Sequence, residues 1–168
     1  TDGGHGFDII AAPEAIAPLD DVRDETLLGL LALARQEYDY VLVDLPADWT
    51  SWALSVVMAS SAVLMVVELS VNSLRQAKRR LDLFDSIGVD PGNVKLLANR
   101  VERKIFRSIN VDAVRDVLGS DVLVALGDEN GRMTAAQDEG KLITDVHRGS
   151  KLAAGVKELA QALAAEGR

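Results

Sequence analysis

The stretch Tyr-Asp-Tyr-Val-Leu-Val-Asp-Leu-Pro-Ala-Asp at residues 38–48 decides the fold class of this 168-residue chain. An apolar run at residues 40–45 contains Asp44 near its end, and Pro46 follows. A strand that is covered on both faces reads as a nearly continuous apolar run, and proline cannot donate to a sheet ladder. Open α/β sheets hold ligands outside the carboxyl ends of their strands. The stretch therefore predicts a buried parallel strand that presents Asp44 at a ligand-binding edge.

Apolar runs alternate with helical patterns along the rest of the chain, which is typical of βαβ units and a parallel sheet. Five strands are predicted, at residues 7–12, 40–45, 62–69, 94–98 and 122–126. Helices are predicted at residues 24–38, 51–61, 71–87, 111–118, 133–139 and 150–165. We expect a single α/β domain over residues 1–168, with a mostly parallel sheet of about five strands between helices on both faces.

Asp44 is the candidate metal ligand of the chain. An aspartate at such a strand end often organises Mg²⁺ and water in folds that hydrolyse nucleotides, because this hard cation prefers oxygen ligands. The alternative is that Asp44 caps a helix or satisfies a loop. The sequence contains no Gly-x-x-x-x-Gly-Lys-Ser/Thr motif, and so no glycine loop or lysine to hold phosphate. We therefore expect no ATP hydrolysis by this polypeptide alone.

Composition excludes several classes of protein and site. The chain has no cysteine, which rules out disulfides, thiolate metal sites and a cysteine nucleophile. His5 and His147 stand alone without partners at metal-ligand spacing. The sequence predicts no transmembrane segment and no signal segment, which favours a cytoplasmic location. We interpret the polar start at Thr1 as a fragment or processed start.

Charge is unevenly distributed along the chain. The formal net charge of −8 argues against wholesale nucleic-acid binding. Between Arg75 and Arg107, however, nine basic residues face four acidic ones. This basic stripe could contact phosphates or an acidic partner, or it could be the solvated face of a helix and a loop.

Several short motifs in a fixed order give the chain a family resemblance. They are Ile9-Ile10-Ala11-Ala12-Pro13-Glu14, Tyr38 to Pro46, Glu68-Leu69-Ser70-Val71-Asn72-Ser73-Leu74-Arg75 and Leu97-Ala98-Asn99-Arg100. With them the chain resembles the carboxyl-terminal two-thirds of a deviant-Walker P-loop ATPase of the MinD/ParA group. Within that group it is most similar to the pilus-assembly branch called CpaE or TadZ. Leu126-Gly127-Asp128-Glu129 departs from the family pattern Ile-Pro-x-Asp by lacking the proline.

The resemblance implies a partial P-loop NTPase-like, Rossmann-like sandwich and a role for each matching residue. Asp44 corresponds to the Walker B-type aspartate that organises Mg²⁺ and the attacking water. Asn99 corresponds to the asparagine that bonds the adenine edge, Arg100 lies beside the base, and Asp128 belongs to the loop that packs near it. The alternative for Asn99 is that its amide satisfies local backbone at a strand end.

A partner surface is also implied. In ATPase members the region of Ser70, Arg75, Lys78, Arg79 and Arg80 lies near the dimer interface, although Ser70 or Ser73 could simply cap a helix. ATP or ADP with Mg²⁺ is implied for the full-length parent, and we expect none bound by this chain.

The implied function is that of a CpaE/TadZ-like pilus-assembly and localisation module. It would act as a homodimer with pilus or secretion proteins, in the cytoplasm and, through partners, at the cell pole or the inner face of the membrane. One alternative is a fragment of an active MinD/ParA-type ATPase. Another is a ParA-like nonspecific DNA binder, although DNA is the less expected partner.

A topological expectation follows from the same resemblance. The family's P-loop strand lies beside the strand that ends in Asp44, and this sequence does not contain it. We therefore expect residues 40–45 to pair with another strand of this chain or of a second copy.

Overall fold

The computed structural model describes residues 6–11, 23–47, 49–101 and 110–166. The chain divides into two compact units, Thr1–Ala59 and Ser60–Arg168. The prediction of one domain over the whole chain stays a prediction.

In the described part of the first unit the helices are α1 (Asp24–Glu37) and α2 (Ser51–Ala59). The Asp24 carboxylate accepts hydrogen bonds from the Ser55 hydroxyl at 2.6 Å and the Ser51 hydroxyl at 3.4 Å, which ties the start of α1 to α2. Tyr38 donates a 2.6 Å hydrogen bond from its hydroxyl to the Asp8 carboxylate, and this bond raises the pKa of Tyr38. Side-chain hydrogen bonds therefore link α1 to α2, and Tyr38 to Asp8, within this unit.

Neither predicted strand of this unit forms. Residues 40–45 have no strand assignment, and in the described part of residues 7–12 only Asp8 forms an isolated bridge. Side chains expected in a core are exposed instead, by 65% at Tyr40, 84% at Leu42 and 82% at Ile10. An extended segment becomes a strand only where neighbouring backbone meets its N–H and C=O groups. Residues 40–45 therefore do not pair with another strand within the described part of this chain, and pairing with a second copy stays a prediction.

The second unit is built on a parallel sheet of three strands, in the order β1 (Val63–Glu68), β2 (Val94–Val101) and β3 (Val122–Gly127). Its helices are α3 (Val71–Ser86), α4 (Val111–Leu118), α5 (Asn130–Asp138), α6 (Ile143–Val146) and α7 (Lys151–Glu166), with a 3-10 turn at Pro91–Asn93. Helices that connect parallel strands confirm the α/β class. The sheet has three strands where about five were predicted, because the first two predicted strands lie in the other unit and do not form.

Both faces of the sheet are covered. On one face Leu97, Val124 and Leu126 form a core with Leu152 and Leu159 of α7. Leu96 and Ala98 alternate with Leu97 along β2 and so point to the other face, where they are also buried. Helices α3 and α4 pack against each other and against the sheet. The predicted three-layer arrangement is therefore present in this unit.

Close approach of α7 to β3 depends on Gly155. A Cβ atom at this buried helical position would lie 2.8 Å from Cδ2 of Leu126 and 3.6 Å from the Ala125 carbonyl oxygen. Contacts this short do not occur between carbon atoms in well-packed cores. The glycine therefore sets the distance between the helix and the sheet.

We expect Gly155→Ala to destabilise the chain. Overpacking costs about 1–3 kcal/mol, and the better helix propensity of alanine returns only about 1 kcal/mol. The net loss of roughly 1 kcal/mol can be measured by urea denaturation.

Gly131→Ala is the matched control, because nothing lies within 4 Å of the Cβ position of this helical glycine in α5. It should be neutral or stabilising. A Gly155→Ala variant as stable as the control would contradict the packing argument.

Candidate functional site

The carboxyl ends of the three strands bring most of the predicted site residues of the second unit to one edge. Glu68 ends β1 and is the register partner of Asn99 in β2. Arg100 follows Asn99, and Asp128 follows β3 directly. The Asp128 N–H donates to the Val101 carbonyl oxygen at 3.3 Å. The edge at which α/β sheets hold ligands therefore gathers an amide, a guanidinium and two carboxylates.

A β-bulge shapes this edge. Ala98 pairs with Ala125 and Val101 pairs with Gly127, so that β2 carries one extra residue between these pairs. Arg100 lies in the bulge with φ of 53°, and among the described residues it is the one non-glycine with positive φ. Such a backbone conformation costs a bulky residue about 1–3 kcal/mol and occurs most often at functional sites. Bulges of this kind re-aim side chains near active sites.

Asn99 stabilises the bulge through its own side chain. Its Oδ1 accepts a 2.9 Å hydrogen bond from the Arg100 backbone N–H. The Asn99 oxygen therefore does satisfy local backbone at the strand end, as the alternative interpretation of this residue expected. The oxygen still has a second lone pair. Within the described ranges the Nδ2 group has no protein acceptor. One donor group and one lone pair of the Asn99 amide thus remain for a ligand.

Glu68 contacts the same bulge from the neighbouring strand. Its Oε1 lies 2.9 Å from NH1 of Arg100, and both side chains are more than half exposed. An exposed ion pair of this type contributes only about 0–1 kcal/mol. The ion pair alone cannot offset the free-energy cost of the left-handed backbone at Arg100. The ion pair and the Asn99 hydrogen bond together stabilise the bulge by an amount similar to the lower end of that cost.

Ser70 is an observed helix cap. Its hydroxyl oxygen accepts from the Ser73 N–H at 3.2 Å at the start of α3. Ser73 in turn accepts a 2.9 Å hydrogen bond from the Glu68 N–H through its hydroxyl. The loop between β1 and α3 is thus closed by two serine side chains, and a partner role for Ser70 stays a prediction.

Basic residues of α3 lie opposite its buried side, which Leu74, Ala77 and Phe84 form. Arg75, Lys78 and Arg79 are exposed, and Arg80 is half-buried. Lys78 also pairs with Asp82 one turn later at 3.0 Å. Arg75, Lys78, Arg79 and Arg80 therefore form the basic surface of α3. The remainder of the predicted stripe from residue 102 onward lies outside the described residues.

Asp44 belongs to the first unit. It is exposed, in a segment without regular structure, and no helix cap or ion pair engages its carboxylate within the described ranges. Among the same residues no group of three or more His, Cys, Asp or Glu side chains could hold a metal ion. A single free carboxylate still matches Mg²⁺, which takes one or two carboxylates and completes its shell with phosphate oxygens and water.

A buried polar cluster beside the site was missed by sequence reasoning. Glu129, with a side chain only 5% exposed, accepts from the Ser150 hydroxyl at 2.5 Å and from the Lys151 N–H at 3.0 Å. The Ser150 oxygen caps α7 by accepting from the Ala153 N–H at 3.0 Å. Ser150 was predicted to begin this helix, but no local spacing relates it to Glu129. The cluster joins the end of β3 to the start of α7.

Hydrogen bonding lowers the pKa of Glu129. The bond from Ser150 is the main cause, burial opposes it, and the Lys151 N–H adds to the lowering. The carboxylate form is thus the one that the fold selects.

Stability should depend on pH through this carboxylate. Because the folded-state pKa is lowered, the contribution is complete above the usual glutamate value of about 4.3 and is lost as the pH falls through the lower folded-state value. We expect Glu129→Gln to lower the thermal midpoint at pH 7, and the difference from the wild type to shrink below about pH 4. Thermal unfolding of both chains, followed by circular dichroism at several pH values from 7 to below about 4, measures this difference in midpoint. Glu158→Gln, at an exposed site on α7, should change nothing, and a Glu129→Gln difference that is independent of pH would contradict the assignment.

Within the described ranges, no helix combines the length and the apolar character that a membrane crossing requires.

Comparison with known proteins gives relatives in sequence and in fold. No protein-family model matches the chain. A septum site-determining protein MinD from Oltmannsiellopsis viridis is 34% identical over 102 residues, which cover 59% of this chain and 32% of that protein. The MinD of a Synechocystis strain is 21% identical over 133 residues, which cover 79% of this chain and 47% of that protein. The chain thus spans about a third to a half of the length of these relatives.

Solved structures show the same fold. A ParA family ATPase from Chlorobium tepidum TLS superposes with a TM-score of 0.78 at 21% identity, over 88% of this chain and 60% of that chain. The MinC:MinD cell division protein complex of Aquifex aeolicus gives 0.75 at 21% identity, over 86% and 60%. The MinD and ParA relatives do not show the CpaE or TadZ branch, which stays a prediction. The resemblance to the MinD/ParA-type P-loop ATPase superfamily is confirmed, since the chain is similar in sequence to MinD proteins and in fold to MinD and ParA proteins.

Proposed function

We propose that this chain is part of a MinD/ParA-type ATPase and supplies the base-binding side of its adenine-nucleotide site. The observation that carries the proposal is the left-handed bulge at Asn99 and Arg100, which lies at the carboxyl edge of a parallel sheet. The sequence similarity to MinD proteins supports the same interpretation. This was the alternative to a pilus-assembly function in the sequence analysis, and the relatives favour it.

Each residue of the site has a proposed role. The Asn99 amide offers the donor and the acceptor that the adenine edge requires. Arg100 lies beside the base, where a planar guanidinium can stack. Asp128 stands at the end of β3, and its Oδ1 accepts from the Asn130 N–H at 3.2 Å, which fixes the start of α5 next to the site.

Asp44 is the proposed Mg²⁺ ligand of the parent protein. Its exposed carboxylate is chemically suited to this ion, which would neutralise charge on the phosphates when bound. These 168 residues contain no glycine loop or lysine to hold phosphate. The proposal therefore assigns base binding to the chain and leaves hydrolysis to the complete protein.

A second candidate is the CpaE/TadZ-like localisation function, and the observation that favours it is the exposed basic surface of α3. The MinC:MinD structure contains a relative of this fold in complex with another protein. By analogy, Ser70, Arg75, Lys78, Arg79 and Arg80 would contact an acidic partner of the pilus or secretion machinery, or a second copy of the chain. The proposed location is the cytoplasm, at the pole or the inner membrane face.

Asn99→Ala should weaken ATP binding and remove a preference for ATP over GTP. We expect the chain to bind ATP with a dissociation constant on the order of millimolar, because the base contacts act without a phosphate cradle. The Asn99 amide is worth roughly 1–3 kcal/mol of base discrimination, by analogy with amide readout of bases. Titration of ¹⁵N-labelled chain with ATP and with GTP measures both effects.

Asn93→Ala is the matched control, since Asn93 is exposed before the opposite end of the same strand. It should bind ATP as the wild type does. Absence of any shift at Asn99 with millimolar ATP, or equal losses for ATP and GTP in Asn99→Ala, would contradict the proposal.

The basic surface should not make the chain a DNA-binding protein. Because the net charge is −8, we expect only weak retention of double-stranded DNA at physiological salt. The variant Arg75→Glu with Arg79→Glu should fold normally, as surface changes usually shift stability by less than about 0.5 kcal/mol. Binding that falls steeply with salt and disappears in this variant, but not in Arg148→Glu, would favour the ParA-like alternative.

A further inference from the structure

Glu68 is held more firmly than an ordinary surface glutamate. Its backbone N–H donates to the Ser73 hydroxyl at 2.9 Å, and its carbonyl oxygen accepts from the Ser70 N–H at 2.8 Å. The first bond joins the end of β1 to the first turn of α3, and the second joins it to the N-cap of this helix. The Cα position from which the Glu68 side chain projects is therefore fixed.

From this fixed point the Glu68 carboxylate reaches the end of the adjacent strand. It contacts the Arg100 guanidinium at 2.9 Å, across 32 residues of sequence. Arg100 has a long side chain that is 61% exposed, and Glu68 is its ion-pair partner within the described ranges. The guanidinium would otherwise sample many rotamers in solvent.

The same contact acts on the backbone of the bulge. Arg100 occupies the left-handed region, and its N–H is bonded to the Asn99 side chain. An extended Arg100 would carry its side chain in another direction and would release the Asn99 oxygen. Holding the guanidinium above the end of β1 therefore favours the orientation of both side chains.

We propose that Glu68 is a positioning residue of the nucleotide-base site, which preorganises the Asn99–Arg100 corner through its ion pair with Arg100. The inference rests on the proposed function, and it deepens that function by naming a residue that touches no ligand. Preorganised groups bind more tightly because less freedom is lost when the ligand arrives.

The chain offers a matched control for this pair. Glu139 forms an equally exposed ion pair with Lys141 at 2.8 Å, but this pair joins residues only two apart in the sequence. Glu139→Gln removes the same charge from the surface without touching the bulge. Circular dichroism should show that Glu68→Gln and Glu139→Gln both unfold at the wild-type midpoint.

Two readouts on the ¹⁵N-labelled full chain test the proposal. In Glu68→Gln the Arg100 side-chain Nε–Hε signal should shift and broaden, and the Arg100 backbone amide should exchange with solvent roughly 2- to 5-fold faster, as loss of a surface ion pair allows. ATP affinity should fall by a similar factor of about 2 to 5. Glu139→Gln should change neither readout, and Glu68→Ala should act like Glu68→Gln or more strongly.

A double substitution tests whether Glu68 acts on ATP affinity through Arg100. In an Arg100→Gly background, where glycine adopts positive φ without cost, the further change Glu68→Gln should have no additional effect on ATP affinity. A Glu68→Gln effect that persists there would overturn a role through Arg100.

The remaining outcomes distinguish this inference from the proposed function. A Glu68→Gln chain with wild-type Arg100 signals and wild-type ATP affinity overturns the inference and leaves the proposed function standing. A wild-type chain without any ATP-dependent shift overturns the proposed function, and the Arg100 signals then decide by themselves whether Glu68 positions the corner.

Discussion

The left-handed backbone of Arg100 is the constraint on which the candidate site depends. A straight β2 would continue past β3 with its side chains alternating between the two covered faces of the sheet. The extra residue instead turns the strand at its carboxyl end, next to Glu68 of β1 and Asp128 after β3. The bulge thereby converts the end of a structural strand into a corner that carries an amide and a guanidinium.

Contacts of different kinds tie the three strand ends together. The Glu68 carboxylate joins β1 to the bulge, the Asp128 N–H joins the end of β3 to Val101, and Glu129 joins the same end to the cap of α7 at Ser150. The last contact is nearly buried and the first is exposed, so they differ in strength. The contact on the side of β3 and α7 is therefore shielded from solvent, whereas the Glu68 ion pair is exposed to water and salt.

The parts of the fold that could be predicted from the sequence are those that depend on local pattern. The three observed strands were predicted as nearly continuous apolar runs, and the helix predicted at residues 71–87 is α3. The runs at residues 7–12 and 40–45 have the same pattern, but a strand also requires a neighbouring backbone, which no local pattern reports. The hydrogen bond between Ser150 and Glu129 could not be predicted either, because it joins residues that are far apart in the sequence.

The residues of the candidate site could be chosen from the sequence, but their arrangement in space could not. The resemblance to a P-loop ATPase superfamily selected Asn99, Arg100 and Asp128, and β2 and β3 bring these three to one edge. The bulge could not be predicted from the sequence, because arginine rarely adopts positive φ. Glu68 was quoted within a motif but had no role, because its partner is 32 residues away.

Photolabelling with an azido-adenine nucleotide tests the central claim most directly, since it maps the base without relying on any substitution. If the corner at the strand ends binds the base, label that unmodified ATP suppresses should be recovered on peptides that contain residues 99–100 or 128. Label that ATP does not suppress, or that maps to α5 and α6 away from these residues, would contradict the account.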